Sequence, residues 1–246
     1  MPINWRLYGA RIHADTLTDG VTPRDENVAR LKSDIRILLP SNPAYKSVEA
    51  RGPEDDAWRE MDLAVISSDD LTLKYLRTMP GDTIKAGEIV RFADAYWLVT
   101  DEDSDSEIYQ KAVMQRCNYI LKFRDDTGTA VERYCVIVSN LRYQMGEHTR
   151  DMLTVGNTHL QLFVSKDSKT RQISRKTRFI VDDIDAHEKL TFEVTMPDRV
   201  TGIINGHGIY KFMVQETPAE DGDDMALMVP DNSEYEPNDP STGRWY

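Results

Sequence analysis

Long apolar runs are missing from this 246-residue chain; uninterrupted stretches such as Ala95 to Val99 and Met225 to Val229 reach only five residues. A helix crossing a bilayer needs about 20, so a helical membrane span is excluded. The opening Met1-Pro2-Ile3-Asn4-Trp5-Arg6 lacks the basic and apolar regions of a secretory signal, and maturation in a cytoplasm is expected. Cysteine is scarce: Cys117 and Cys135 are the only two, too few for a disulfide framework or a four-ligand zinc site. The sequence contains no G-x-x-x-x-G-K-[ST], G-x-G-x-x-G, H-E-x-x-H or G-x-S-x-G. Phosphate-loop, dinucleotide, zincin and hydrolase-elbow chemistry therefore have no support in the sequence. His13, His148, His159, His187 and His207 are scattered without metal-ligand spacing. No catalytic residue, metal site or cofactor is expected.

Charge is abundant and unevenly placed. The formal net charge is −12, and residues 216–246 hold nine acids against the single base Arg244. This stretch also carries Pro218, Pro230, Pro237 and Pro240. Such a composition buries too little apolar surface to offset ordering entropy, which predicts a largely disordered acidic tail. Its short apolar pieces, 225–229 and Trp245-Tyr246, could dock on a neighbour. The opposite pole is the segment 165–178, where Lys166, Lys169, Arg171, Arg175, Lys176 and Arg178 face one acid, Asp167. Two readings apply: a contact for DNA or an acidic partner, or a solvated hairpin. No aromatic interleaves the bases to make a single-strand platform.

One helix is legible. Thr22-Pro23-Arg24-Asp25 supplies an N-cap hydroxyl, a proline at the first helical position and an acid in the first turn. Val28, Leu31, Ile35 and Leu38 then recur on one face until Pro40 and Pro43 end the run. That stripe either faces the core or packs on a neighbouring subunit. From Leu63 the pattern shortens to strand-like runs: 63–67, 71–77, 88–92, 96–101, 109–123, 131–139, 153–155, 159–164, 177–181, 189–195 and 209–215. Asp125-Asp126-Thr127-Gly128 and Asn205-Gly206 have hairpin-turn chemistry. The predicted fold is mainly β: two small β-barrel or β-sandwich modules, one N-terminal amphipathic helix and a disordered acidic C-terminal tail. A break at 140–149 places the modules at 1–139 and 140–215, followed by the tail at 216–246. A weak echo of residues 90–100 in 178–195 suggests related halves. The run Asp101-Glu102-Asp103-Ser104-Asp105-Ser106-Glu107 begins like a calcium loop, but Ser106 stands where glycine is needed and Ala112 where the bidentate glutamate is needed. It is read as a solvated loop. Cys117 and Cys135 flank the 125–128 turn and are expected as free thiols.

Three stretches carry a resemblance: the opening 1–9; 81–92, with Gly81-Asp82-Thr83-Ile84 and Gly87-Glu88-Ile89-Val90-Arg91-Phe92; and Tyr96-Trp97-Leu98-Val99-Thr100 leading into 108–119. Together they resemble tailed-bacteriophage virion proteins of the neck, of the head–tail connector or head-closure (stopper) type. The resemblance implies a non-enzymatic β-barrel subunit of a homo-oligomeric ring beneath the portal. Such a ring retains packaged DNA and contacts portal, adaptor and tail proteins in the virion. Under it, Val28, Leu31, Ile35 and Leu38 become a subunit-interface helix, and the basic segment faces DNA or an acidic neighbour. The alternative is a tail-tip or baseplate module recognising a glycan or receptor through Trp58, Tyr96, Trp97 and Tyr143. Burial of Trp97 would favour the structural reading.

Overall fold

The computed structural model describes residues 22–103, 105–125, 127–139, 159–183 and 188–232. Helix α1 (Pro23–Leu38) and a short 3-10 turn (Leu39–Ser41) lead into the strands, thirteen of them among the described residues. Six of them, β1 (Tyr45–Arg51), β2 (Arg59–Ser67), β3 (Leu73–Thr78), β4 (Ile89–Phe92), β5 (Ala95–Asp103) and β6 (Lys111–Arg116), close a barrel in the order β1-β2-β3-β6-β5-β4. The second sheet runs β10-β11-β13-β9-β8-β7, built from β7 (Tyr119–Arg124), β8 (Ala130–Ser139), β9 (His159–Ser165), β10 (Arg178–Asp183), β11 (Glu188–Asp198) and β13 (His207–Thr217). The two-residue β12 (Ile203–Ile204) pairs with β13. The architecture is mainly β with one helix at its start, as the sequence predicts.

Alternation sets the barrel core. In β3, Leu76 and Thr78 point inward while Tyr75 and Arg77 point out. Val48, Leu63, Val90, Trp97 and Met114 meet Leu76 inside. The second sheet encloses its own cluster, with Phe123, Phe179, Phe192 and Phe212 at its centre. A third cluster lies between the two bodies, where Ile89 and Leu98 of the barrel pack on Val136, Phe163 and Ile209 of the sheet. Strand β5 is thus buried on both faces, and Trp97, Leu98 and Val99 are consecutive buried residues. At the same seam Gly87, at φ +91°, sits against Gly208 so closely that a Cβ would overlap the Gly208 carbonyl oxygen.

The module boundary differs from the expected 140–149, and those residues lie outside the described ones. The predicted single strand 109–123 is two strands, and the chain passes from barrel to sheet at Cys117-Asn118. The Cys117 amide donates to the Tyr96 carbonyl, still in the barrel, at 2.8 Å. The Asn118 side chain then takes the place of a strand neighbour, donating to the Ile137 carbonyl at 2.7 Å and accepting its amide at 2.8 Å. A side-chain amide that mimics a peptide lets the backbone turn without leaving Ile137 unpaired. Strand β1 is a further departure: YKSVEAR has no apolar run, yet it closes the barrel by pairing with both β2 and β4.

Both predicted hairpin turns form. Asn205 (φ 49°) and Gly206 (φ 86°) join β12 to β13, the doubly left-handed geometry favoured in tight hairpins. Asp125 Oδ1 accepts the Thr127 and Thr129 amides, and its other oxygen accepts Lys169 Nζ at 2.5 Å. The Lys169 ammonium and the Thr127 hydrogen bond hold the Asp125 carboxyl well below its usual range.

The acidic tail is ordered farther than its composition predicts. Strand β13 runs to Thr217, and residues 220–232 fold back onto β10. Arg178, only 1 % exposed, receives Asp223 in a bidentate pair at 2.8 and 3.0 Å, with Glu220 at 3.0 Å. Its guanidinium also donates to the Asp231 carbonyl at 2.6 Å, and its backbone amide donates to Asn232 Oδ1 at 2.9 Å. Val229 is buried beside this clasp. A planar guanidinium suits such a convergence of acceptors. Residues 233–246 lie outside the described ones.

Three outcomes are expected. Gly87→Ala, which places a side chain on a left-handed residue against Gly208, should lower unfolding free energy by about 2 kcal/mol, read by urea denaturation. Arg178→Ala, which strands the enclosed Asp223 carboxylate, should cost about 3–5 kcal/mol and open residues 220–232 to limited proteolysis. Because the Asp125 pKa is depressed, its contribution to stability is complete above its ordinary value of 3.8 and fades as pH falls below it. The thermal midpoint of Asp125→Asn should accordingly fall less steeply below that pH than that of the unaltered chain.

Candidate functional site

Helix α1 is well specified at its start. The Thr22 hydroxyl accepts the Asp25 amide and the Asp25 carboxylate accepts the Thr22 amide at 2.9 Å, a reciprocal capping box. These Thr22 hydrogen bonds lower the Asp25 pKa. At the other end the 3-10 turn contains Pro40. The helix rests lightly on the barrel end: Arg24 pairs with Glu107 at 2.6 Å, and Arg36 donates to the Pro80 carbonyl at 2.9 Å. Val28 and Ile35 are half-buried, whereas Leu31 is 42 % and Leu38 65 % exposed. Of the two expectations for this stripe, packing into the chain's own core is not what the described residues adopt. Each leucine side chain left in water forgoes roughly 1.5–3 kcal/mol of burial.

The six bases of the second candidate region do not form one surface. Lys166 Nζ donates to the Gly206 carbonyl, Lys169 is paired with Asp125, and Arg178 is withdrawn into the clasp. Arg178 is therefore no contact for DNA or for another molecule's acid; its acidic partners come from the tail of the same chain. Arg171, Arg175 and Lys176 are exposed, Lys176 with φ 70°. The one acid of the segment, Asp167, is buried and pairs with Arg133, so the loop is held by charges on both sides of it.

The remaining candidates are structural. The acidic run 101–107 is dispersed among partners: Glu102 Oε2 accepts the Ala86 amide at 2.6 Å and its other oxygen meets His207 Nε2 at 2.8 Å, while Glu107 takes Arg24. No group of three metal-ligating side chains exists among the described residues. Cys117 and Cys135 are free thiols, as expected, and burial pushes Cys117 up to about 12 and raises Cys135 as well. Thiols held protonated in this way are poor nucleophiles. Among the aromatics, Trp97 is 4 % exposed in the barrel core with its indole N–H on the Phe92 carbonyl, which removes it from any glycan surface. Tyr96 stacks on Tyr134 at 3.9 Å and lies 6.1 Å from Trp58, which Arg51 covers at 4.7 Å. These rings line the edge of the seam. His13, His148, His187 and Tyr143 lie outside the described residues.

One surface escaped the sequence reading. On the outer wall of the barrel, Ile66 pairs with Tyr75, Tyr75 with Val113 and Val113 with Asp101. These residues line an open groove of about 320 Å³ with Arg77, Asp103 and Lys111. The signal available was an apolar or aromatic residue at the outward position of each of three strands, Tyr75 standing between Lys74 and Arg77.

Among curated proteins, none matches the chain. Of solved structures, K. pneumonia MrkH in complex with c-di-GMP is similar over 78 % of this chain and 86 % of its own, at 10 % identity and a TM-score of 0.26. The Bacillus subtilis inhibitor of motility, MotI/DgrA, is similar over 74 % and 92 %, at 9 % identity and a TM-score of 0.20. Residues 67–116, which carry β3 to β6 and the outer groove apart from Ile66, match the family model of the YomX N-terminal domain, a phage-type domain family.

Proposed function

We propose that this chain is a non-enzymatic structural protein of a tailed-phage virion, one subunit of a ring at the head–tail junction that closes the portal, retains DNA and docks the tail. The observation that carries the reading is the face of α1: a helix with a complete capping box whose Leu31 and Leu38 remain in water. A surface helix with a persistent apolar stripe and little hold on its own chain is suited to a neighbour. The phage-type domain at 67–116 supports the virion context. Its partners would be further copies of itself and the portal, adaptor and tail proteins.

Charge fits a channel wall. A ring around DNA has to let it pass, and many exposed phosphate contacts would hold it tightly at low salt. The chain is net acidic at −12, and Lys166, Lys169 and Arg178 of the basic segment are engaged within the fold. Arg171 and Arg175 are exposed bases of that segment and would be its contacts for a DNA end or an acidic neighbour.

Cryo-electron microscopy of intact particles tests the reading. The expected result is a ring of this chain between portal and tail tube. Density at the distal tail tip, or absence of the chain from particles, overturns it.

A further inference from the structure

Two uncovered apolar surfaces of the chain match one another. The first is the exposed stripe of α1. Leu31 and Leu38 stand seven residues apart, about 10 Å along a helix rising 1.5 Å per residue. The second is the outer row Ile66, Tyr75 and Val113 on β2, β3 and β6. Three adjacent strands at roughly 4.8 Å spacing place Ile66 and Val113 about 10 Å apart. A helix crossing the strands along this row would set its two leucines over the two ends, with Tyr75, 48 % exposed, between them.

The charges beside each surface are complementary. Along the barrel wall the next row is Arg77, Lys111 and Asp103, with Asp101 ending the apolar row. On the helix, Asp34 flanks the stripe between Leu31 and Leu38, and Arg24 extends it toward the N-terminus. Asp34 offers a carboxylate to Arg77 and Lys111, and Arg24 offers a guanidinium to Asp101. The Arg24–Glu107 pair that would be given up is 75 % and 54 % exposed, and pairs of that kind contribute little. The helix cannot use this face on its own barrel in the present arrangement. Arg24 and Arg36 tie it to Glu107 and Pro80 at the barrel end, with Leu31 and Leu38 turned outward.

We infer that α1 of one copy lies in the Ile66–Tyr75–Val113 groove of the next copy, so that the partner of each surface is a second molecule of this chain. The inference rests on the reading of the chain as a ring subunit and supplies its contact. Helix and groove are different patches of one molecule, which makes the contact head-to-tail, and repetition of such a contact closes a ring or continues as a filament.

Cysteine cross-linking of the full chain tests it. Leu31→Cys and Tyr75→Cys are made as separate proteins, each position being exposed and each fold checked by circular dichroism. Of the two native thiols Cys135 is buried and Cys117 half-buried, and oxidation of the unaltered chain gives the background against which the dimer is read. Under mild oxidation at high protein concentration, a disulfide-linked dimer is expected when the two proteins are mixed and not with either alone. Leu38→Glu on the Tyr75→Cys partner should leave the dimer intact, because that copy contributes only its groove; on the Leu31→Cys partner it should abolish it. No dimer in the mixture overturns the inference. So does a dimer of Leu31→Cys alone equal to that of the mixture, which means helix against helix. A concentration-independent internal disulfide in the doubly substituted chain overturns it too, because the groove is then filled by the chain's own helix. A ring seen at the neck without cross-linking removes this contact and leaves the proposed function standing; cross-linking by a chain absent from the neck does the reverse.

Discussion

The fold depends on burying both faces of one strand. A β-barrel needs only its inner face covered, but β5 carries Trp97 and Val99 into the barrel and Leu98 outward onto Phe163 and Val136 of the second sheet. That shared strand makes the barrel and the sheet one body. The contact admits no side chain at Gly87 and Gly208, where backbone meets backbone. It places Tyr96 on Tyr134 and carries the Glu102–His207 pair across the same seam. Everything displayed on the outside, the helix at one end and the basic loop beside the sheet, is positioned relative to this apolar joint.

Some of this was legible. The run Ala95 to Val99 marked a strand, but not that both of its faces are covered, because Leu98 meets Val136 and Phe163 from remote parts of the chain. The capping box at Thr22 and the Asn205-Gly206 turn were readable because each depends on local chemistry alone. Strand β1 was not readable, since YKSVEAR buries only Val48 and Ala50 and is held by pairing on both sides with β2 and β4. The boundary at Cys117-Asn118 was hidden for a related reason. Asn118 keeps Ile137 hydrogen-bonded across the crossing, so no glycine or proline marks it. Ala93 and Asp94 likewise make a left-handed turn between β4 and β5 with no glycine to announce it.

Charge was the property that sequence proximity described least well. Residues 166–178 read as a basic patch because the acids that pair with Lys169 and Arg178 are remote in the chain: Asp125 on the β7–β8 hairpin, and Glu220 and Asp223 after β13. Folding thus anchors part of a run of like charges and leaves Arg171 and Arg175 exposed. The most basic and the most acidic parts of the sequence are partly spent on each other at Arg178, which fastens the start of the tail along β10. Composition alone assigned both to solvent or to partners.

The join between α1 and the barrel is short and stiff. Three residues in a 3-10 turn, with Pro40 inside it and Pro43 just after, leave few torsions free between helix and β1. Under the proposed contact between copies, this elbow fixes the rotation from one subunit to the next. Ring size would then be encoded in the bend of the proline elbow, while the apolar stripe governs only how firmly neighbours hold. A change at Pro40 or Pro43 would alter the number of copies that close a circle without touching the surface that joins them.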